Sequence, residues 1–316
     1  MKLRQLRFLV AVYEERSFTA AARRAHATQS GLSMQIKDLE ERLGVRLFDR
    51  SSTGVTPTSA GERLYQRATR ILREVSAIEN DVEALEGEIS GTVHAGMMPT
   101  FARAVLAPVL DRFDRQYPHV EVKVTEAYSA VLSEEVASGR LDMAIVPPGR
   151  DVPGIRAEHV DTDVEVFVTS PNTDRPHLEP VDLSKCEPLK LALPGPGNAR
   201  RERIDQYLNT YNVSVEKIIE LDTMMATLDL VARSDWASIL PGCLCFPDID
   251  QPNRKLHPIP HPPLTVDYIL IEPVSQSQSP AAQLFIEEIR NQIRETCTFC
   301  RDNLGPAAQS RVRKRA

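Results

Sequence analysis

Polar side chains of the types that contact DNA recur along residues 29–43. Apolar residues spaced 4, 3 and 4 apart predict the buried stripe of a helix: Leu32, Ile36, Leu39 and Leu43. At about 100° per residue, the opposite face carries an amide, hydroxyls, a thioether and charged groups: Gln29, Ser30, Ser33, Met34, Lys37 and Glu41. Such groups near a helix N-terminus can reach base edges and phosphates in a major groove. An ordinary solvated face has the same composition, so this helix alone leaves both interpretations open.

A second candidate site is a hydroxyl at the predicted start of a helix over residues 101–117. Thr100 lies between Pro99 and Phe101, where free backbone N–H groups and the helix dipole favour an anion. Thr100 would also serve as a helix N-cap, and the two roles are compatible.

Patterns that would indicate an enzyme or a metal site are weak. Residues 193–198 are glycine-rich, but prolines remove N–H donors and no G-K-[ST] follows, so they do not form a phosphate loop. Cys297 and Cys300 form a C-x-x-C with no second ligand pair nearby in the sequence, which favours ordinary thiols over zinc. His257 and His261 are surrounded by prolines and are predicted to lie in a loop. We therefore expect no catalytic residue, no metal and no cofactor.

Three short helices are predicted to hold the polar face. The first ends near Glu15, Ser17 caps a second over residues 18–25, and Thr28 caps the third, which stops at Gly44. Two helices joined by a short turn fit a helix-turn-helix. Residues 1–73 contain 14 Lys and Arg against 7 Asp and Glu, although the whole chain has a net charge of −6. Because salt screens charges beyond about 10 Å, this basic module can bind phosphates despite the acidic remainder.

A long helix with a seven-residue repeat is predicted to follow. Thr58 or Ser59 would cap it, and Ser59 with Glu62 fits a capping box. Its apolar residues alternate at spacings of 4 and 3 without a break: Leu64, Ala68, Ile71, Val75, Ile78, Val82, Leu85 and Ile89. A coiled coil requires this strict repeat, whereas a helix packed on its own domain drifts from it. The pattern therefore favours self-association over packing within one chain.

From residue 91 onward, strand and helix patterns alternate. Strands are predicted over residues 92–96, 120–124 and 143–146, then 164–169, 190–193, 218–221 and 237–240, with 266–271 returning to the first set. Helices are predicted over residues 131–138, 200–209, 223–232 and 280–296. The expected fold class is thus α/β with a largely parallel sheet.

Residues 6–61 resemble the LysR-type transcriptional regulators. The matching residues are Phe8, Ser17–Ala22, Thr28–Ser30, Leu32–Ser33, Gln35–Ile36, Leu39–Glu40, Leu43–Gly44, Leu47–Arg50 and Thr56–Gly61. The resemblance implies a winged helix-turn-helix over residues 1–58, with a wing from Arg50 to Val55 along the DNA. The residues expected to bind DNA are Thr28, Gln29, Ser30, Ser33, Met34, Lys37, Arg50 and Thr53.

Two departures from the family pattern affect which bases are read. Family members commonly have Pro at the position of Ser30 and often Arg at the position of Met34. An Arg there can read guanine with two hydrogen bonds, so the base preference of relatives does not transfer to this chain.

The remaining chain resembles the family's linker and effector-binding domain. The resemblance implies a dimerisation helix over residues 59–89 and two hinged subdomains like those of a periplasmic binding protein. The first comprises residues 91–163 and 265–300, the second residues 164–264, and a basic tail over 301–316 is expected to be disordered. Gly139–Ile145 matches the family's G-x-L-D-x-A-I turn, whereas Ser234 and Trp236 replace usual glycines. Trp236 could line the pocket or pack in the core, and we favour the core.

By family position, five residues are expected to line the ligand cleft: Thr100, Ser129, Pro147, Asn198 and Thr223. They imply a small organic acid as inducer. The expected partners are double-stranded DNA with an inverted repeat, a second copy of the chain in a dimer or tetramer, and RNA polymerase as a further candidate.

The expected location is the cytoplasm. Five cysteines late in the chain argue for reduced thiols, and no apolar stretch approaches the roughly 18 residues of a membrane span. An enzyme and a periplasmic-type binding protein are the rival classes, and the basic N-terminal module speaks against the latter.

Overall fold

The computed structural model describes residues 1–51, 54–85, 89–149, 151–250, 253–274 and 278–306. The N-terminal domain consists of helices α1 (Leu3–Glu15), α2 (Phe18–Arg24) and α3 (Gln29–Leu43) and a hairpin of strands β1 (Phe48–Ser51) and β2 (Gly54–Pro57). The antiparallel pairing of β1 with β2 forms the predicted wing.

Side-chain caps set the ends of these helices as the sequence predicts. Ser17 Oγ accepts a hydrogen bond from the Ala20 N–H at 3.3 Å, and Thr28 Oγ1 accepts one from the Gly31 N–H at 3.2 Å. Gly44 ends α3 with a φ of 68°, a conformation that favours glycine. The prediction that Leu43 belongs to the buried stripe is wrong, because this residue in the last turn of α3 is 42% exposed.

Helix α4 (Ser59–Leu85) follows the wing. Thr58, not the Ser59 capping box, caps it, because Thr58 Oγ1 accepts a hydrogen bond from the Gly61 N–H at 3.1 Å. The first turns of α4 pack on α1: Ala68 is fully buried there, and the rings of Tyr13 and Tyr65 stack with centroids 3.7 Å apart. The start of the predicted seam thus belongs to the N-terminal core.

The remaining residues of the predicted seam have different surroundings. Ile71 and Ile78 are 39% and 59% exposed, and Val75 is half-buried. The side chains of Val82 and Leu85 lie outside the described residues. Ile89 packs against the core of the following domain instead of continuing the seam.

The C-terminal domain has two lobes. Lobe I contains strands β3 (Gly91–Met97), β4 (Val120–Glu126) and β5 (Met143–Val146), and helices α5 (Ala107–Gln116), α6 (Ser129–Ala137) and α10 (Pro280–Leu304). Lobe II contains β7 (Leu189–Leu193), β8 (Val215–Glu220), β9 (Ser238–Pro241), β10 (Lys255–Pro258), α7 (Ala199–Thr210), α8 (Met224–Arg233) and the short α9 (Gly242–Cys245).

Two long strands, β6 (Ile155–Thr169) and β11 (Thr265–Pro273), connect the lobes. Residues 155–164 of β6 pair with β11, and residues 165–169 pair with β9 and β10. All of these pairings are antiparallel, whereas β3 pairs in parallel with β4 and β5, and β7 with β8. The largely parallel sheet expected from the sequence is therefore a mixed sheet.

Three further segments differ from expectation. The helix predicted over residues 101–117 starts as a 3-10 turn (Pro99–Phe101) and a π-helix (Ala102–Leu106) before α5. His257 lies in strand β10 instead of a loop. Helix α10 continues past residue 296 to Leu304, so residues 301–304 are helical, and the tail beyond residue 306 lies outside the described residues.

Among the described helices, none combines the length and the apolar character that a membrane crossing requires.

Candidate DNA-binding surface and effector cavities

Helix α3 has one buried and one exposed face. Leu32, Ile36 and Leu39 are fully buried in the N-terminal core. The opposite side, which we call the outer face of α3, consists of Gln29, Ser30, Ser33, Met34 and Lys37. All of these residues are exposed except Ser33, which is half-buried, and Met34 is exposed to 58%. The predicted DNA-contacting residues of α3 therefore share one accessible face.

The wing is tied to α3 by Arg50 and by Glu40. Arg50 Nη2 donates a hydrogen bond to Ser33 Oγ at 3.1 Å, and its guanidinium lies 3.9 Å from the centroid of the Phe18 ring. Glu40 Oε1 accepts hydrogen bonds from the N–H groups of Leu47 at 2.7 Å and Phe48 at 3.2 Å. These contacts fix the groove between α3 and the wing.

The groove between α3 and the wing is lined by charged and polar residues: Ser33, Lys37, Glu40, Glu41, Arg46 and Arg50. Arg46 was not among the residues singled out from the sequence, although a basic residue directly before the wing is a usable signal. Thr53, which was singled out, lies outside the described residues.

Two cavities lie where the lobes meet. The first, which we call the arginine cavity, measures about 190 Å³. Its lining comes from the end of β5, from α7 and from the crossing strands: Pro147, Pro148, Glu165, Ala199, Arg200, Arg203, Ile204, Leu264, Thr265, Val266 and Asp267.

Two guanidinium groups define the chemistry of the arginine cavity. Arg200 is buried and forms two hydrogen bonds to the Glu165 carboxylate, at 2.7 and 3.1 Å, and another to the Ile239 carbonyl. Its Nη1 is buried without a hydrogen-bond partner among the described residues. Arg203 donates to the Thr265 carbonyl, and no carboxylate of the described chain forms an ion pair with it. The cavity thus offers N–H donors and one guanidinium, that of Arg203, without an ion pair in the described chain, although the carboxylate of Asp267 also lines it.

The second, which we call the carboxylate cavity, measures about 430 Å³ and has the opposite character. Glu126 and Asp222 line it together with Tyr128, Met224 and Arg103. Arg103 forms an ion pair with the fully buried carboxylate of Asp248 at 2.9 Å, and Arg254 shares that carboxylate at 2.8 Å. Burial, followed by the charges of Asp222 and Glu126, raises the pKa of Tyr128.

Of the five residues predicted to line one cleft, two line the interlobe cavities, and the other three are next in sequence to residues that line one of them. Pro147 lines the arginine cavity and Thr223 the carboxylate cavity. Thr100 is buried in the 3-10 turn, Ser129 begins α6, and Asn198 caps α7 by accepting a hydrogen bond from the Arg200 N–H at 3.0 Å. Half-buried Trp236 lines neither cavity.

Arg200 and Arg203 were not predicted as site residues, although the sequence contains a signal for them. Arg200, Arg201 and Arg203 occupy the start of α7, where the helix dipole disfavours positive charge. Three arginines in such a place indicate a local need for cationic donors.

The exposed helix and wing, the long helix and the two-lobed domain with interlobe cavities define a DNA-binding regulator with a ligand-binding domain. Residues 3–62 match the family "Bacterial regulatory helix-turn-helix protein, lysR family", and residues 86–294 match "LysR substrate binding domain". The chain belongs to the LysR family of transcriptional regulators, and it is not an enzyme.

Individual relatives agree with this assignment. A hydrogen peroxide-inducible genes activator of Dickeya chrysanthemi is 38% identical, over 77% of this chain and 79% of its own length. The nitrogen assimilation regulatory protein nac of Escherichia coli is 28% identical, over 90% of this chain and 92% of its own length. The full-length CbnR solved with its target DNA superposes with a TM-score of 0.67 at 21% identity, covering 92% of this chain and all of that one, and shows that the fold is shared.

Proposed function

We propose that this regulator reads an inverted-repeat DNA site as a dimer, using the outer face of α3 and the wing. The observation that carries the proposal is the outer face itself: polar side chains stand opposite a fully buried stripe and beside the Arg50 guanidinium. A helix presented in this way fits a major groove, and a two-fold dimer presents two such helices to two half-sites.

Helix α4 supplies the dimer contact in this proposal. Ile71 and Ile78 are exposed on the chain alone, and with half-buried Val75 they form an apolar stripe at heptad spacing. We expect tetramers on paired sites, contact with RNA polymerase and a cytoplasmic location as further properties.

Fluorescence anisotropy with a promoter fragment tests the assignment of the outer face. We expect Gln29→Ala to weaken binding to the specific site by about 1–3 kcal/mol while leaving binding to random DNA unchanged. Lys37→Gln should weaken both and reduce the slope of log K against log salt by about 1. Gln66→Ala, on the exposed surface of α4, is the matched control. Wild-type specific affinity in Gln29→Ala would exclude Gln29 from base reading.

We further propose that a small organic acid binds in the arginine cavity as the effector. The unpartnered Nη1 of Arg200 and the guanidinium of Arg203, which forms no ion pair in the described chain, support this choice, because a carboxylate accepts such donors in pairs. The carboxylate cavity is the less suitable place for an acid, since Glu126 and Asp222 would repel it. Because the arginine cavity lies between the lobes, a ligand in it can change how the lobes are held.

Isothermal titration calorimetry with a panel of matched carboxylates and amines tests the effector class. We expect a carboxylate to bind, and Arg203→Gln to weaken it by about 1.5–3 kcal/mol, as for a hydrogen bond to a charged group. Arg233→Gln removes the same charge from an exposed position in α8 and should bind normally. If an amine binds instead, and Arg203→Gln leaves its affinity unchanged, the effector site would have to be the carboxylate cavity.

A further inference from the structure

Three cysteines and one aspartate meet in the interior where the lobes join. Cys243 Sγ and Cys297 Sγ are 3.7 Å apart, and one ligand atom each of Asp163, Cys243 and Cys300 all lie within 4.8 Å of one another. All four residues are fully buried. A C-x-x-C without a second ligand pair nearby in the sequence favours ordinary thiols, but the fold supplies two further donors from distant segments.

The four donors come from three different elements. Cys297 and Cys300 are one turn apart in α10 and share a face, Cys243 lies at the start of α9, and Asp163 belongs to the crossing strand β6. Gly242 lets them approach, because a Cβ at this position would lie 2.8 Å from Asp163 Oδ1 and 3.2 Å from Cys300 Sγ. Even an alanine would force these groups apart.

The separation of the sulfurs suits a tetrahedral metal. A Zn–S bond of about 2.3 Å with tetrahedral angles places two sulfurs about 3.8 Å apart, close to the 3.7 Å between Cys243 and Cys297. Soft thiolates select Zn²⁺ and other thiophilic ions, and a carboxylate oxygen is an accepted fourth ligand.

The negative charge of the buried Asp163 carboxylate also favours a bound cation. Asp163 accepts hydrogen bonds from the Val164 N–H at 2.8 Å, the Cys243 N–H at 2.8 Å and the Tyr268 hydroxyl at 2.9 Å. None of these donors is charged, and within the described chain Asp163 forms no ion pair. A buried carboxylate without a counter-charge is costly, and a bound metal ion would remove that cost.

We propose that Asp163, Cys243, Cys297 and Cys300 bind one thiophilic divalent cation, Zn²⁺, which links β6, α9 and α10 at the junction of the lobes. Each coordinating thiol releases its proton to solvent, so binding weakens as the pH falls. Asp163, Cys243 and Cys300 form the group within 4.8 Å, and Cys297, whose Sγ is 3.7 Å from Cys243 Sγ, would supply the fourth ligand. With four protein ligands the site would be structural, because no position would stay open.

The test uses the full-length chain, reduced and freed of metal with a chelator, then mixed with ZnCl₂ or CoCl₂. We expect about one Zn²⁺ retained per chain by elemental mass spectrometry, a rise in the melting temperature, and the intense visible absorption of tetrahedral Co²⁺ thiolate. Cys300→Ser should lose more than about 100-fold in Zn²⁺ affinity, since removing a mere orienting partner of a ligand costs about 10–100-fold.

Cys245→Ser is the matched control, because Cys245 is equally buried and two residues from Cys243 but outside the cluster. It should bind Zn²⁺ as the wild type does. Failure of the wild type to retain Zn²⁺ or to give the Co²⁺ spectrum would make the cysteines core thiols and overturn the proposal. If Cys300→Ser does not fold, the wild-type stoichiometry and spectrum still decide.

Discussion

His257 is a buried titratable group that should make stability depend on pH. It is fully buried in β10, with Nε2 2.9 Å from Thr169 Oγ1 and Nδ1 3.3 Å from the Glu179 carbonyl. Burial lowers the pKa of His257 to about 4 from its ordinary 6.5. Between about pH 6.5 and 4, His257 is therefore protonated in the unfolded chain and stays neutral in the folded chain. We expect this group to cost stability as the pH falls from about 6.5 to about 4, by at most about 3 kcal/mol.

Urea denaturation between pH 7.5 and 4.5 measures this effect. His257→Gln should reduce the dependence of the unfolding free energy on pH in that window, because glutamine does not titrate. Part of the dependence should remain, because burial also lowers the pKa of His94 to about 4. His119→Gln, at an exposed position, should keep the wild-type slope. Equal slopes for wild type and His257→Gln would mean that His257 titrates normally in the folded state.

The same residue shows what a sequence pattern cannot decide. The prolines around His257 predict a loop, yet the segment pairs with β6. β10 lies at the edge of the sheet, and Pro258 is its last residue, so the missing N–H of proline is tolerated there. The caps Ser17, Thr28 and Gly44 were predictable because they depend on local contacts alone. The cysteine cluster was not, because its members are far apart in the chain.

At the scale of the element, one apolar repeat in α4 contributes both to the N-terminal core and to an exposed surface stripe. Ala68 packs on α1, whereas Ile71 and Ile78 point away from the chain. A seven-residue repeat identifies an apolar stripe but not the surface that covers it, so the sequence predicted the helix well and its division poorly. The exposed portion is the part to which the dimer proposal applies.

We predict that Ile71→Asp and Ile78→Asp each yield monomers, because a charge would enter an apolar contact between two chains. Size-exclusion chromatography with light scattering measures the mass. Ser76→Asp adds the same charge at an exposed position about 140° around the helix from Ile71 and should remain dimeric. Dimers that persist in both isoleucine variants would place the self-contact elsewhere.

At the scale of the molecule, strands β6 and β11 explain why the expected sheet is only partly parallel. Alternating strand and helix patterns predicted parallel pairing without saying which strands pair, and β3 does pair in parallel with β4 and β5, and β7 with β8. The first half of β6 (155–163) was not predicted as a strand, and its antiparallel pairing with β11 was therefore not predicted either. That connection joins the lobes, and residues of both strands line the arginine cavity, so the missed strand helps to position the candidate effector site. Its role depends on pairing between segments about a hundred residues apart in the chain, which local periodicity does not record.

A contact between α4 and lobe I offers a route from the effector domain to the DNA-binding helix. Arg73 of α4 donates a hydrogen bond to the carbonyl of Gly139, in the turn between α6 and β5. Burial, the largest influence, lowers the pKa of Arg73. In the same region, Asp142 accepts a hydrogen bond from the His94 N–H at 2.7 Å. A shift of lobe I on effector binding would thus reach α4 directly.

We predict that Arg73→Gln uncouples effector binding from DNA binding without abolishing either. In the wild type the effector should change DNA affinity by a factor within the roughly 5–150-fold range typical of such coupling, and DNA should change effector affinity by the same factor. In Arg73→Gln both factors should fall toward one, because the shorter amide no longer reaches Gly139. Arg67→Gln, exposed on the same helix, can lower DNA affinity but should preserve the factor. Anisotropy and calorimetry, each with and without the other ligand, give both factors, and an unchanged factor in Arg73→Gln would mean that coupling passes through another contact.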